Sequence, residues 1–143
     1  MNSLSTYAHE TMYLHSDLAS VFGHTSGYLR IEWHTVPMVS TEVRQLFDDI
    51  LHLLCQQQLH RLFTERTTAP PLHTEDCHWM TQHWLPLAKR EAGLSHFAVV
   101  ESNVQVAARA ITSIGEGEED GSPVQFRFFD SFAQAEVWIR EAA

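Results

Sequence analysis

Residues 72–102 have the sequence LHTEDCHWMTQHWLPLAKREAGLSHFAVVES. Thr74 suits the N-cap of a helix, two acidic residues follow it in the first turn, and Gly93 suits the residue that ends the helix. Between them, one apolar face recurs at helical spacing: Cys77, Met80, Trp84, Leu87 and Ala88. Residues 97–100 form a continuous apolar run, which is typical of a strand buried on both faces. The segment therefore predicts a helix followed by a parallel strand, one unit of an α/β fold.

The N-terminal half predicts further elements of the same kind. Residues 10–15 and 28–33 have the composition of strands, and turn residues between them, Gly23 and the Ser26-Gly27 pair, predict an antiparallel hairpin. An apolar stripe over residues 43–54 predicts a helix. Residues 61–64 then predict a short strand, so the chain alternates between strands and helices before it reaches the segment described above.

The C-terminal half completes the pattern. Asn103 can cap a short helix, and the acidic stretch at residues 115–121, GEGEEDG, predicts a mobile loop. Residues 124–129 predict the last strand. Ser131 with Gln134 forms the capping-box signature of a final helix.

The element order β-β-α-β-α-β-α-β-α predicts an α/β fold. Strands that alternate with helices favour a mixed, mostly parallel five-stranded sheet covered by about four helices. At 143 residues the chain fits a single domain, residues 1–143, in which residues 1–9 are predicted to form a flexible N-terminus.

Composition narrows the class of function. With 44% hydrophobic and 19% charged residues, the chain resembles a soluble globular protein. No apolar run approaches the roughly 18–20 residues that span a bilayer, and the N-terminus lacks the features of a secretory signal, so we predict a cytoplasmic protein without membrane insertion. A formal net charge of −9 repels phosphate backbones, which disfavours nucleic acid as a partner.

Several short motifs resemble those of the small bacterial STAS-like proteins, which are grouped structurally with anti-sigma-factor antagonists. The motifs are RIEW at 30–33, EDCHW at 75–79, WLP at 84–86, FAVV at 97–100, FDS at 129–131 and AEVWI at 135–139. The resemblance extends from about residue 10 onward and implies a β-α sheet fold, in a group whose members largely lack an assigned activity. Anti-sigma-factor antagonists offer a partner kinase a serine in an Asp-Ser motif. The equivalent stretch here, residues 65–71, lacks that motif and carries Thr67 and Thr68 instead.

Polar side chains follow the predicted strands at Glu65, Arg66, Glu101 and Asn103. Open α/β sheets bind ligands in a crevice at the carboxyl ends of the strands, where these groups could orient a small polar ligand. The alternative is that Glu65 and Arg66 pair with their neighbours while Asn103 caps a helix. No nucleophile and base accompany these residues, so we do not predict an enzyme.

The ten histidines raise the question of a metal site. His73 and Cys77 are four residues apart, but His73 precedes the predicted helix, and no CxxC or HExxH signature is present. We predict no metal and no cofactor. The dipole of the helix would favour a thiolate at Cys77, whereas its place on the apolar stripe favours a buried, unreactive thiol.

Trp79 lies away from the apolar stripe of its helix, which suits a surface for a protein partner or a homodimer. A bend at Pro86, or cover from the N-terminal strands, would bury the ring instead. Two functions remain open at this point. One is a non-enzymatic STAS-like interaction or regulatory module, and the other is a small-molecule or lipid binding protein, or an unrecognised enzyme, that uses the crevice at the strand ends.

Overall fold

A computed structural model of the protein describes residues 9–101 and 124–142. The six strands in these ranges are Glu10–His15 (β1), Ala19–His24 (β2), Tyr28–Trp33 (β3), Arg61–Glu65 (β4), His96–Val100 (β5) and Gln125–Phe129 (β6). The helices are Ser40–Gln57 (α1), Thr74–Trp79 (α2), Leu85–Ala92 (α3) and Phe132–Glu141 (α4), and a π-helical turn, Met80–Trp84, joins α2 to α3. The predicted α/β class is confirmed. The helix predicted from Asn103, the loop predicted at residues 115–121 and residues 1–8 of the N-terminus predicted to be flexible lie outside the described residues.

The six strands form one mixed sheet in which spatial order follows chain order, β1-β2-β3-β4-β5-β6. The β1–β2 and β2–β3 pairs are antiparallel, and the three pairs from β3 to β6 are parallel. The carboxyl ends of β3 to β6 therefore lie along one edge, here called the carboxyl edge. Because β1 runs in the same direction as β3, its last residue, His15, reaches this edge too.

The predicted five-stranded sheet is wrong by one strand, and the predicted hairpin is wrong with it. Residues 10–15 and 28–33 are strands, but β2 lies between them and pairs with both. Gly23 belongs to β2 rather than to a turn. The residue there is glycine because a Cβ would lie only 2.3 Å from Cε2 of Tyr13. Glycine in a strand marks such a close approach. The turn before β3 is at Gly27, whose φ of 95° favours glycine.

Helices cover the two faces of the sheet. The larger core lies between the sheet and α1 to α3, and its fully buried members include Ile31, Leu62, Phe97, Ile50 and Trp84. A smaller core lies on the opposite face, where α4 packs Ala135 and Ile139 against Tyr28, Phe63 and Ala98. These faces follow from alternation along the strands, since successive side chains point to opposite sides of a sheet.

The helix predicted between Thr74 and Gly93 is present, with differences at its N-cap and before Pro86. The predicted N-cap is wrong by one residue: His73, whose backbone is extended, is the N-cap, and Thr74 is the first residue of the helix. As predicted, the helix ends at Gly93, which has a left-handed conformation with φ of 72°. A π-helical turn directly precedes Pro86, and the Leu85 N–H donates to the Met80 carbonyl. A π turn is one way in which a helix accommodates a residue that cannot continue the regular bonding pattern.

Candidate functional site

The carboxyl edge brings together two of the four predicted ligand-binding residues. Arg66 directly follows β4, Glu101 directly follows β5, and Nε of Arg66 lies 3.5 Å from Oε2 of Glu101. Both side chains are buried, with 4% and 3% of their surface exposed. The Arg66 guanidinium also lies 4.5 Å from the centre of the Trp33 ring and donates a hydrogen bond to the Pro70 carbonyl. The two residues therefore bind each other inside the fold.

Hydrogen bonds between the backbones of neighbouring strands set the positions of Arg66 and Glu101. The Arg66 N–H donates to the Val100 carbonyl at 2.8 Å, and the Glu101 N–H donates to the Phe129 carbonyl at 3.0 Å. Both bonds continue the parallel ladders one residue beyond the strands. Arg66 and Glu101 consequently become cross-strand neighbours on the face that packs against α1, where Trp33 provides an aromatic surface for the guanidinium.

The remaining predicted residues of this site behave differently. Glu65 is half-buried and accepts hydrogen bonds from the backbone N–H of Thr67, at 3.3 Å, and from the Thr67 hydroxyl. Thr67 and Thr68 are both exposed, and the Thr35 hydroxyl donates to Oγ1 of Thr68 at 3.1 Å. Asn103 lies outside the described residues. The predicted alternative, in which Glu65 and Arg66 pair with neighbours, matches these contacts.

Trp33 and Trp84 differ in one hydrogen bond. Nε1 of Trp84 donates to the Phe47 carbonyl at 2.7 Å. Nε1 of Trp33 is buried and has no acceptor within the described part of the chain. Both rings pack against Phe47, so the two sites share an aromatic neighbour.

The variants Trp33→Phe and Trp84→Phe therefore form a matched pair. Both remove the same part of an indole ring, but only the second removes a buried hydrogen bond. We expect W84F to lower the free energy of unfolding by about 1–2 kcal/mol more than W33F does. Urea unfolding followed by circular dichroism measures both losses, and equal losses would contradict the assignment of the Trp84 bond as the difference.

A chain of hydrogen bonds at the same edge was not predicted from the sequence. Oγ of Ser20 lies 2.8 Å from Nδ1 of His15 and 3.1 Å from Nε2 of His34. Nδ1 of His34 lies 3.0 Å from the Asp17 carbonyl, which can only accept, so in the neutral ring Nδ1 carries the proton. Nε2 of His34 then accepts from Ser20, and His15 donates to Ser20.

These hydrogen bonds orient the side chains of His15, Ser20 and His34, but they present no accessible nucleophile. Ser20 is only 4% exposed. The two imidazoles border an open groove of about 600 Å³, whose rim includes Asp17, Pro37 and Glu42. The sequence did not predict these hydrogen bonds, because they depend on Ser20 in β2, and β2 was not predicted as a strand.

The chain itself covers much of Trp79. The Trp79 ring is half-buried, its centre lies 6.0 Å from that of Phe47, and the Arg44 guanidinium lies 5.2 Å from the ring centre. Asp76, three residues earlier, is fully buried and accepts hydrogen bonds from Ser40 at 2.7 Å and Arg44 at 2.9 Å. These contacts join α2 to α1.

Other features of the described ranges bear on chemistry. Cys55 is exposed and Cys77 is half-buried, and neither forms a disulfide. Within residues 9–101 and 124–142, no three His, Cys, Asp or Glu side chains are grouped so that they could hold a metal ion. None of the helices in this part of the chain is both long enough and apolar enough to cross a membrane. No family model, curated protein or solved structure matches the chain.

Proposed function

We propose that the protein is a non-enzymatic, STAS-like regulatory module that acts by protein contact through the loops of its carboxyl edge. The observation that carries this proposal is the internal use of the polar side chains at that edge. Arg66 contacts Glu101, Trp33 and Pro70, and His34 contacts Ser20 and the Asp17 carbonyl. An enzyme would instead direct such groups towards a substrate.

The outer rim of the edge has the composition of a contact surface. Val39 exposes 46% of its surface beside Pro37, and Thr67 and Thr68 are exposed nearby. Protein interfaces combine apolar side chains at their centre with a polar, solvent-accessible rim, and this edge presents both kinds of side chain. The resemblance to anti-sigma-factor antagonists supports the same edge, since those proteins offer their partner a hydroxyl after a central strand.

Charge indicates the kind of partner. Asp17 and Glu42 are exposed on the rim, Glu65 lies beside it, and the chain carries a formal net charge of −9. The partner proposed for this surface is a protein with a basic face, because complementary charges accelerate association and exclude wrong partners. A homodimer through this edge would bring like charges together.

Site-directed photo-crosslinking in the native host tests the proposal. A photo-reactive residue at Val39 is expected to give one discrete product heavier than the chain, and raised salt is expected to reduce it. Gln56 is the matched control, since it is exposed near the far end of α1. Equal labelling at Val39 and Gln56, or no product at Val39, would contradict the proposal. A product of twice the chain's mass would show that the partner is a second copy of this chain and not a protein with a basic face.

A second candidate function, small-molecule binding, is favoured by a different observation. Arg66 and Glu101 are buried against each other, whereas a separate pocket lies at the other end of the strands, beside the start of β1.

A further inference from the structure

A pocket of about 370 Å³ lies where the start of β1, the end of β2 and one face of α4 meet. Cavities that bind small molecules range from about 300 to 1,000 Å³, so this pocket suits a small ligand. Its lining includes Glu10, His24, Arg30, Phe132, Glu136 and Arg140. It lies at the other end of the strands from Arg66 and Glu101, and none of its lining residues belongs to that site.

The floor of the pocket is a buried ion pair. Arg30 donates from Nε to Oε2 of Glu10 at 2.6 Å and from Nη2 to Oε1 of Glu10 at 3.0 Å. The guanidinium also lies 4.5 Å from the centre of the Phe22 ring. Two parallel hydrogen bonds on one side and an aromatic face on the other hold the floor in one geometry. The paired charges leave the floor polar but without net charge.

One wall presents a hydrogen-bond donor of defined tautomer. Nδ1 of His24 accepts from the Ser26 backbone N–H at 2.9 Å, and the ring stacks on Tyr28 at a centroid distance of 4.6 Å. Burial lowers the pKa of the His24 imidazole below its ordinary value, against the opposing effect of Glu10 and Glu136, and the lowered pKa favours the neutral ring at pH 7. Since Nδ1 accepts, the proton of the neutral ring is on Nε2, which can donate to a ligand.

The opposite wall carries one negative and one positive charge. Glu136 and Arg140 are four residues apart on α4, which places them on the same face of the helix. Within the described part of the chain, neither side chain has an oppositely charged partner within 4.0 Å. Phe132, one turn earlier, is 38% exposed and adds an apolar surface beside these charges.

We propose that this pocket binds a small zwitterion of the α-amino-acid class. Glu136 receives the ammonium group, Arg140 and Nε2 of His24 receive the carboxylate, and Phe132 contacts an apolar side chain. A dicarboxylate or a diamine matches this wall less well, because each would place one charged group beside a residue of the same sign. The volume of the pocket and the neutral floor both suit a ligand of this size and zero net charge.

Isothermal titration calorimetry with the common L-amino acids tests the proposal. We expect at least one apolar amino acid to bind, and its N-acetyl and carboxamide derivatives, which each lose one charge, to bind at least tenfold more weakly. We expect the same loss for the free amino acid with the variants Glu136→Gln and Arg140→Gln. Glu141→Gln and Arg90→Gln are matched controls, because both residues are exposed and neither lines the pocket.

The outcomes separate clearly. Binding by no amino acid, equal binding of a derivative that lacks one charge, or equal affinity of E136Q and E141Q would each overturn the proposal. The thermal midpoint of every variant is measured first, and because Arg140 is exposed and Glu136 is only half-buried we expect midpoints close to that of the wild type. Crosslinking at Val39 reports on the carboxyl edge, so failure there and failure of ligand binding are independent results.

Discussion

Replacing Arg66 with methionine is expected to lower the free energy of unfolding by about 3–5 kcal/mol, because the buried Glu101 carboxylate would lose the guanidinium that lies 3.5 Å from it. Glu101 is 3% exposed, so solvent cannot take the place of the guanidinium without a rearrangement of the strand ends. The variant also loses the contact with the Trp33 ring and the bond to the Pro70 carbonyl. Chemical denaturation at pH 7 measures the loss.

The double variant R66M/E101L should recover most of that loss. It removes both charges and replaces them with apolar side chains of similar volume, and such exchanges of buried ion pairs are often neutral in stability. A double-mutant cycle with R66M and E101L therefore gives a large coupling free energy. Purely additive effects would show that the two side chains do not act as a pair.

Arg90→Gln is the control for this cycle. Arg90 lies 3.9 Å from Glu91, but the two side chains are 69% and 55% exposed. Exposed pairs contribute about 0–1 kcal/mol, so R90Q should leave the stability close to that of the wild type. A large loss in R90Q would indicate a general effect of removing positive charge from a chain of net charge −9.

The helices could be predicted from the sequence because their signals are local. The apolar stripe of α1, the glycine after α3 and the Ser131 cap of α4 each depend on neighbouring residues only, and the structure places all three as expected. The Gln134 N–H donates to Oγ of Ser131 at 3.3 Å, as the capping signature predicts. The fold class followed from these elements and the buried strand at β5.

The missing strand had no local signal. The first five residues of β2 are all buried, so the alternation that identifies a half-exposed strand is absent, and Gly23 has the appearance of a turn residue. Only the tertiary contact between Gly23 and Tyr13 explains the glycine. Without β2, residues 10–15 and 28–33 were left to pair with each other.

The site could be placed but its contacts could not. The ends of β4 and β5 locate Arg66 and Glu101 at one edge, but whether they face a ligand or each other depends on register. The contact between His15 and Ser20 also depends on register. A bulge between Met12 and Leu14 shifts the pairing by one residue, so His15 lies opposite Ser20 rather than Ala19. No feature of the sequence predicted that shift.

Glu10→Ala is expected to destabilise the protein more than Arg30→Met does, although both break the same buried ion pair. Arg30 lies within β3, between two paired strands, and cannot leave the interior without disrupting the sheet. Glu10 is the first residue of β1, which is the edge strand, so local fraying can return its carboxylate to water. We expect a loss of about 3–5 kcal/mol for E10A and a smaller loss for R30M.

Two measurements distinguish this mechanism from a simple loss of contacts. Urea unfolding gives the two global losses, and amide hydrogen exchange is expected to show faster exchange confined to the start of β1 in R30M. Glu32→Gln is the control, since Glu32 lies 3.6 Å from Nη1 of the same arginine but 49% of its side chain is exposed. That variant should lose no more than about 1 kcal/mol. Equal losses in E10A and R30M, with no local exchange at β1, would show that the edge strand does not relieve the buried carboxylate.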